Sequence, residues 1–243
     1  MNDKIWISNN IFNSYGSVGI SKLIDNELWE RSYEIWEHAC GLIDKPNNEF
    51  LLADGIANLK RSLNHRLQLI EKLYCFKEID FANKPKGYLE LLESYGIVRP
   101  FIMKELLKIR NGIEHYDQRA PDVIRCKELS DIIWYFLKST DNIVQQVKYH
   151  IDFIIFDDSE EETEFRYTIE LDWEHHDNLK IKGRFPSEYI SYCEKDEFIE
   201  VVKCDKDKLL ENFDDKRKIV TGKCLLTKED YHSLLKEIFI YAK

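Results

Sequence analysis

The stretch Ile151-Asp152-Phe153-Ile154-Ile155-Phe156 marks the point where the chain changes character. Upstream, apolar residues recur every three or four positions, the period of a helix; downstream they alternate, the period of a strand. The six residues themselves, closed by the acidic turn Asp157-Asp158-Ser159-Glu160-Glu161-Glu162, read as an apolar strand. Residues 163–173 then place Phe165, Tyr167, Ile169, Leu171 and Trp173 on one face, the signature of a half-buried strand. Further strands are expected at 179–185, 198–204 and 218–226. An amphipathic helix at 228–242 carries Tyr231, Leu234, Leu235, Ile238 and Phe239. Residues 151–243 are therefore expected to form a small antiparallel sheet with one packed helix.

Before the boundary the helical period dominates. Ile20, Leu23, Ile24, Leu28, Ile35 and Trp36 fit an amphipathic helix over 20–43, with Trp29 and Tyr33 widening its apolar side. Lys45-Pro46-Asn47-Asn48 reads as a loop. Leu52, Ile56, Leu59, Leu63, Leu67, Ile70 and Tyr74 predict a long helix over 49–79, whose opposite face holds Lys60, Arg61, Asn64, His65 and Gln68. Asn83-Lys84-Pro85-Lys86-Gly87 breaks it, and a short helix spans Tyr88 to Tyr95. Pro100 opens the next, with Phe101, Ile102, Leu106, Ile109 and Ile113 on its buried side. A fourth long helix is expected from Lys127 to Tyr149. The fold class expected is α+β: an all-α helical bundle in residues 1–150, with 1–19 as a short N-terminal extension, followed by an acidic α+β domain in 151–243.

The 243 residues carry a net charge of −10, which excludes a protein that coats nucleic acid by bulk positive charge. The charge is unevenly placed. Residues 1–150 hold 20 Lys+Arg against 21 Asp+Glu, and residues 151–243 hold 15 against 24. The first part can still offer a basic patch to a phosphate; the acidic part is expected to bind a protein partner or sense a trigger. No apolar run approaches the roughly 20 residues that span a bilayer, and Met1-Asn2-Asp3-Lys4-Ile5-Trp6 lacks the shape of a signal peptide. Six cysteines without a Cys-x-x-Cys pair suggest reduced thiols in the cytoplasm and no zinc site. Asp172-Trp173-Glu174-His175-His176-Asp177 reads as a polar hairpin tip, because adjacent histidines on a strand point to opposite faces. No cofactor or metal is expected.

The segment with chemical potential is Arg110-Asn111-Gly112-Ile113-Glu114-His115-Tyr116, at the end of the helix that Pro100 opens. A guanidinium neutralises a phosphate that gains charge in a transition state, and an imidazole with a pKa near 6.5 takes a proton from a ribose 2′-hydroxyl or returns one to a leaving oxygen. Residues four apart share a helix face, so Arg110 lies over Glu114 and Asn111 over His115. Arg110 and His115, five apart, stand about 140° apart around the axis. They can serve one phosphate only if the helix ends between them or if two chains contribute. Read on spacing alone, the same residues also describe a helix-end Arg110–Glu114 ion pair with a histidine near the negative end of the dipole.

Arg110-Asn111-x-x-x-His115 at the end of a bundle helix resembles the hallmark of the HEPN superfamily, the higher eukaryotes and prokaryotes nucleotide-binding domains. The resemblance covers residues 20–150 and includes Leu59-Lys60-Arg61-Ser62-Leu63-Asn64-His65-Arg66, which is similar to bacterial members. It implies a metal-independent endoribonuclease acting as a homodimer on RNA in a toxin–antitoxin or phage-defence setting, with Arg110, Asn111 and His115 as catalytic residues. Lys108, Glu114, Tyr116, Arg61 and His65 are candidate substrate-binding neighbours; Lys104 and Arg119 are further accessories. A possible antitoxin or other protein partner would engage the acidic domain. In toxins silenced by nucleotidylation the target tyrosine stands two residues after the histidine; here that position is Asp117, and Tyr116 follows His115 directly. The superfamily also holds non-catalytic members, so the alternative is a nucleotide- or RNA-binding or scaffold protein whose C-terminal domain recruits a partner.

Overall fold

Single side chains decide where the helices begin. In the computed structural model, Asp25 accepts a hydrogen bond from the Glu27 amide and opens α1 (Asn26–Asp44); Asn48 accepts one from Leu51 and opens α2 (Glu49–Tyr74). Both satisfy amides that have no partner within the first helical turn. Cys75, with φ of 49°, ends α2 by turning its N–H back to the Glu71 carbonyl. The short α3 (Tyr88–Ser94) and α4 (Phe101–Tyr116) follow, and Asp122 caps α5 (Val123–Gln145) through the Arg125 amide. The structure describes residues 3–13, 15–45, 48–116, 118–156, 159, 161–176, 178–204, 208–212, 214 and 216–240, without the side chains of residues 12, 13, 15, 18, 20, 102 and 212. Pro46, Asn47, Asp117, Asp157, Asp158, Glu160, Asp177 and the Ile20 and Ile102 side chains, which figure in the sequence reading, lie outside that set.

The helix expected over 20–43 starts six residues late. Tyr15–Leu23 is instead a strand, β2, so Ile20, Leu23 and Ile24 leave the helix, and Leu23 is exposed. The reason lies in Gly16 and Gly19. A Cβ at either would run into the Phe153 ring or the Asp152 carboxylate of the neighbouring strand, so glycine here permits close strand packing, and it weakens any helix. At the other end of the helical region, α5 stops at Gln145 and β3 (Gln146–Phe156) begins five residues before the expected strand.

The expected small sheet is overturned. With β1 (Lys4–Ser8), β4 (Glu162–Glu170), β5 (Lys180–Pro186), β6 (Ile190–Ser191), β7 (Phe198–Val202), β8 (Leu210–Asn212) and β9 (Arg217–Leu225), the chain builds a nine-stranded sheet in the order β2-β3-β4-β5-β9-β7-β1-β6, with β8 also paired to β9. Two of its strands come from the first 23 residues. β1 inserts between β6 and β7, antiparallel to both, and buries Ile5 and Ile7. A single boundary at 150 accordingly gives way to two compact units. One comprises residues 23–77 and 85–147; the other comprises 1–22, 78–84 and 148–243, so the N-terminal residues belong with the sheet.

In the helical unit α1, α2 and α5 pack on one another through Ile35, Ala39, Ile56, Leu59, Leu63, Leu129 and Ile133. A polar seam runs through this core. The Arg66 side chain is 0% exposed, forms a 3.0 Å ion pair with Asp141, and donates to the Leu137 carbonyl and the Thr140 hydroxyl, each at 3.1 Å. The Tyr33 hydroxyl donates to Asp141 at 2.8 Å, and burial pushes its pKa up. In the sheet unit Tyr167 stacks between Phe153 and Phe185 and donates to the Ile11 carbonyl, fastening the N-terminal segment to the sheet. The last helix, α6 (Lys228–Ile240), buries Tyr231, Leu234, Leu235 and Ile238. Lys148 donates from its Nζ to the Ile238 carbonyl near the helix end, and burial pushes its pKa down.

Candidate functional site

The α4 helix is amphipathic, with Met103, Leu106 and Gly112 buried and Ile109 and Ile113 half-buried. Phe101, expected on the buried side, is 80% exposed; it is the first residue of the helix, where the stripe has no neighbour to cover it. The helix does not end inside the motif. It runs unbroken through Tyr116, and the chain then turns so that the Gln118 amide donates to the Gly112 carbonyl. Arg110 and His115 therefore keep their helical separation of about 140° and do not converge within one chain.

Each motif residue has a distinct environment. Arg110 is half-buried, forms an ion pair with Glu114 one turn on, and donates to the Asn111 side-chain Oδ1 at 3.2 Å. Its Nε is buried and finds no acceptor among the described residues. Asn111, Glu114, His115 and Tyr116 are exposed, as is Lys108. Glu114 thus holds the guanidinium in one orientation, while the His115 imidazole is free to meet solvent or another molecule.

The accessory candidates divide. A 3.7 Å contact between Arg119 and Glu49 brings the loop after α4 to the start of α2. Arg61 and His65 lie 12 and 16 residues further along α2, roughly 18 and 24 Å by helical rise, so neither joins the His115 end. Arg61 is exposed, whereas the His65 Nδ1 stands 3.0 Å from the Ser32 hydroxyl of α1. Burial lowers the His65 pKa, helped by the charges of Arg31, Arg66 and Arg61. Arg66, which reads as part of the same charged face, belongs to the core. Lys104 is occupied by Glu90 at 2.7 Å.

Beside the candidate Tyr116, at 76% exposure, stand two exposed apolar side chains that the sequence reading does not single out, Phe50 and Ile124, at 71% and 73%. Phe50, Tyr116 and Ile124 are the second residue of α2, the last of α4 and the second of α5, helix ends joined by the Arg119–Glu49 contact and the short segment into the Asp122 cap. Phe50 and Ile124 sit off the buried stripes of their helices, and that periodicity is the signal by which they were findable. The motif end of the helical unit therefore pairs a polar cluster with an apolar fringe.

Elsewhere the chemistry is structural. Asp172 accepts from the Glu174 and His175 amides in the β4–β5 connection, and His176 turns to the Tyr231 hydroxyl, so the two histidines face different partners. Among the described residues no group of three His, Cys, Asp or Glu is placed to hold a metal ion, and no helix is long and apolar enough to cross a membrane. All six cysteines are free thiols; burial lifts Cys126 to about 11. A cleft of about 320 Å³ in the sheet unit is lined by Ile79, Asp80, His176, Cys224, Lys228 and Tyr231, and no motif residue reaches it. Comparison with known proteins finds no matching family model, no curated relative and no similar solved structure.

Proposed function

We propose that this chain is a metal-independent endoribonuclease of the HEPN type that works as a two-fold dimer through the end of α4. The observation that carries the reading is the divergence of Arg110 and His115 on an unbroken helix, beside an exposed apolar fringe. One chain lacks a site, whereas two-fold apposition sets each chain's Arg110 against its partner's His115 and covers Phe50, Tyr116 and Ile124. In the composite cleft His115 takes the proton of the ribose 2′-hydroxyl as the 2′-oxygen attacks phosphorus. The phosphorus–5′-oxygen bond breaks, the leaving oxygen is protonated by the second imidazole, and a 2′,3′-cyclic phosphate remains. Arg110, oriented by Glu114, stabilises the charge on the phosphorane oxygens, and Asn111 orients the phosphate or the imidazole.

The test is cleavage of mixed RNA in EDTA by wild type and His115→Ala, alongside the mass in solution. Wild type is expected to form a dimer and to cleave, and His115→Ala to lose at least about a hundredfold in rate. Intact RNA with wild-type protein, or a monomer at micromolar concentration, overturns the reading. A toxin or phage-defence role predicts that induced wild type slows bacterial growth and that His115→Ala does not.

A further inference from the structure

The sheet unit is acidic overall, with 19 Lys+Arg against 27 Asp+Glu, yet two of its adjacent strands run the other way. β5 and β9 together hold six basic residues and no acidic one. Their pairing aligns a row across six strands: Lys4 on β1, Val202 on β7, Lys223 on β9, Lys180 on β5, Glu170 on β4 and His150 on β3. The next row sets Lys182 between Thr168 and Thr221. These residues alternate with the buried Ile181, Val201, Val220 and Cys224, so they share the opposite, solvated face, where Lys180 and Lys182 are exposed. Lys180 and Lys223 stand directly opposite each other, an arrangement that costs stability in a sheet. The same face carries the half-buried Phe198, with the Lys195 ammonium 5.3 Å from its ring centre, and Trp6, which is buried with the Lys4 ammonium 4.9 Å from its ring centre.

We infer that this sheet face binds single-stranded nucleic acid, RNA if the chain is the ribonuclease proposed above, with Lys180, Lys182 and Lys223 on phosphates and the half-buried Phe198 ring receiving a base. Basic groups on alternate strand residues, about 6.7 Å apart, match the order of spacing of phosphates along an extended strand. A basic face with an accessible aromatic ring suits unpaired bases rather than a duplex. Asp152, Glu170 and Glu200 interrupt the positive field and Glu164 pairs with Arg184 and Arg217, which favours a strand laid along the lysines of β5 and β9 over a broad non-specific coat. Net acidity therefore does not bar this unit from nucleic acid, because Lys180, Lys182 and Lys223 concentrate on two adjacent strands.

The experiment is fluorescence anisotropy of the full chain with a labelled 2′-O-methyl oligouridylate of 20 nucleotides, which lacks the 2′-hydroxyl needed for cleavage. Wild type is expected to bind with salt-sensitive affinity. The triple substitution Lys180→Gln, Lys182→Gln, Lys223→Gln should weaken binding at least tenfold and make the log–log salt slope shallower by about 2, from roughly 0.7 per phosphate contact. Arg110→Ala with His115→Ala should stay within twofold, which separates this face from the proposed cleavage site. Wild type that does not bind, or a triple variant that binds equally well, overturns the inference, as does loss confined to the Arg110 and His115 variant. Lysine acetylation footprinting of wild type provides a second readout if the triple variant folds poorly: bound oligonucleotide should protect Lys180, Lys182 and Lys223, and unchanged labelling counts against the site. Displacement by oligoglutamate as effective as by oligonucleotide at equal charge would assign the face to acidic proteins instead.

Discussion

Two arginine-centred regions of the helical unit, both legible as polar helix faces, have opposite fates. Arg66 is sealed between α1, α2 and α5, and its partners come from distant parts of the chain: Asp141, Thr140 and the Leu137 carbonyl. Arg110 takes its partners from its own helix, one and four residues on, and is half-buried beside the exposed Asn111, Glu114 and His115. A buried charge must be matched by fixed partners, because none can be borrowed from solvent. An exposed cluster is stable alone and keeps its donors available for a ligand. The first arrangement specifies how three helices meet; the second leaves chemistry to a second molecule.

Four measurements probe that contrast. Arg66→Ala empties the buried guanidinium site and leaves the half-buried Asp141 with only Tyr33 and Lys138, and should cost about 3–5 kcal/mol of unfolding free energy, read by urea titration; a loss below about 1 kcal/mol would show that the seam is not a structural centre. Tyr33→Phe removes one hydrogen bond to the same carboxylate and should cost about 1.5 kcal/mol. The third effect is a pH dependence. Burial holds the His65 pKa below its unfolded value near 6.5, so the unfolded chain binds the proton first, and stability should fall as pH drops from 7 through that window. His232 is shifted the same way, so the His65 share is the difference between wild type and His65→Gln, and identical profiles would remove it. Smallest of all, Arg110→Ala should change stability by no more than about 0.5 kcal/mol, while abolishing RNA cleavage. A large stability loss there would make Arg110 a second Arg66 and end the catalytic reading.

Local pattern made the helical stretch readable. Leu52 through Tyr74 and Leu129 through Val144 repeat at the helical period, and the elements they define differ from expectation only at their ends. The ends moved for nameable reasons: Asp122 and Asp25 are caps, and Cys75 turns the chain at positive φ. β2 was missed because Ile20, Leu23 and Ile24 satisfy a helical spacing by chance, and the glycines that favour a strand matter only once β3 lies beside them. Arg61 and Arg66 fall in one basic stretch of α2, yet Arg66 points into the core and Arg61 to water; a five-residue step along a helix is enough to separate such roles.

By itself the amino-acid sequence determined the periods: which stretches coil, which extend, and that Arg110, Asn111 and His115 share one helix end. It also determined the total charge of each segment. Tertiary structure alone decided which strands become neighbours, because pairing is set by register between residues as distant as Trp6 and Glu200. It decided that the N-terminal residues complete the sheet, and that Lys180, Lys182 and Lys223 of an acidic segment become neighbours across β5 and β9. It also decided that Arg66 is sealed in the core while Arg110 is only half-buried, since burial is a property of what packs against a helix and not of the helix itself.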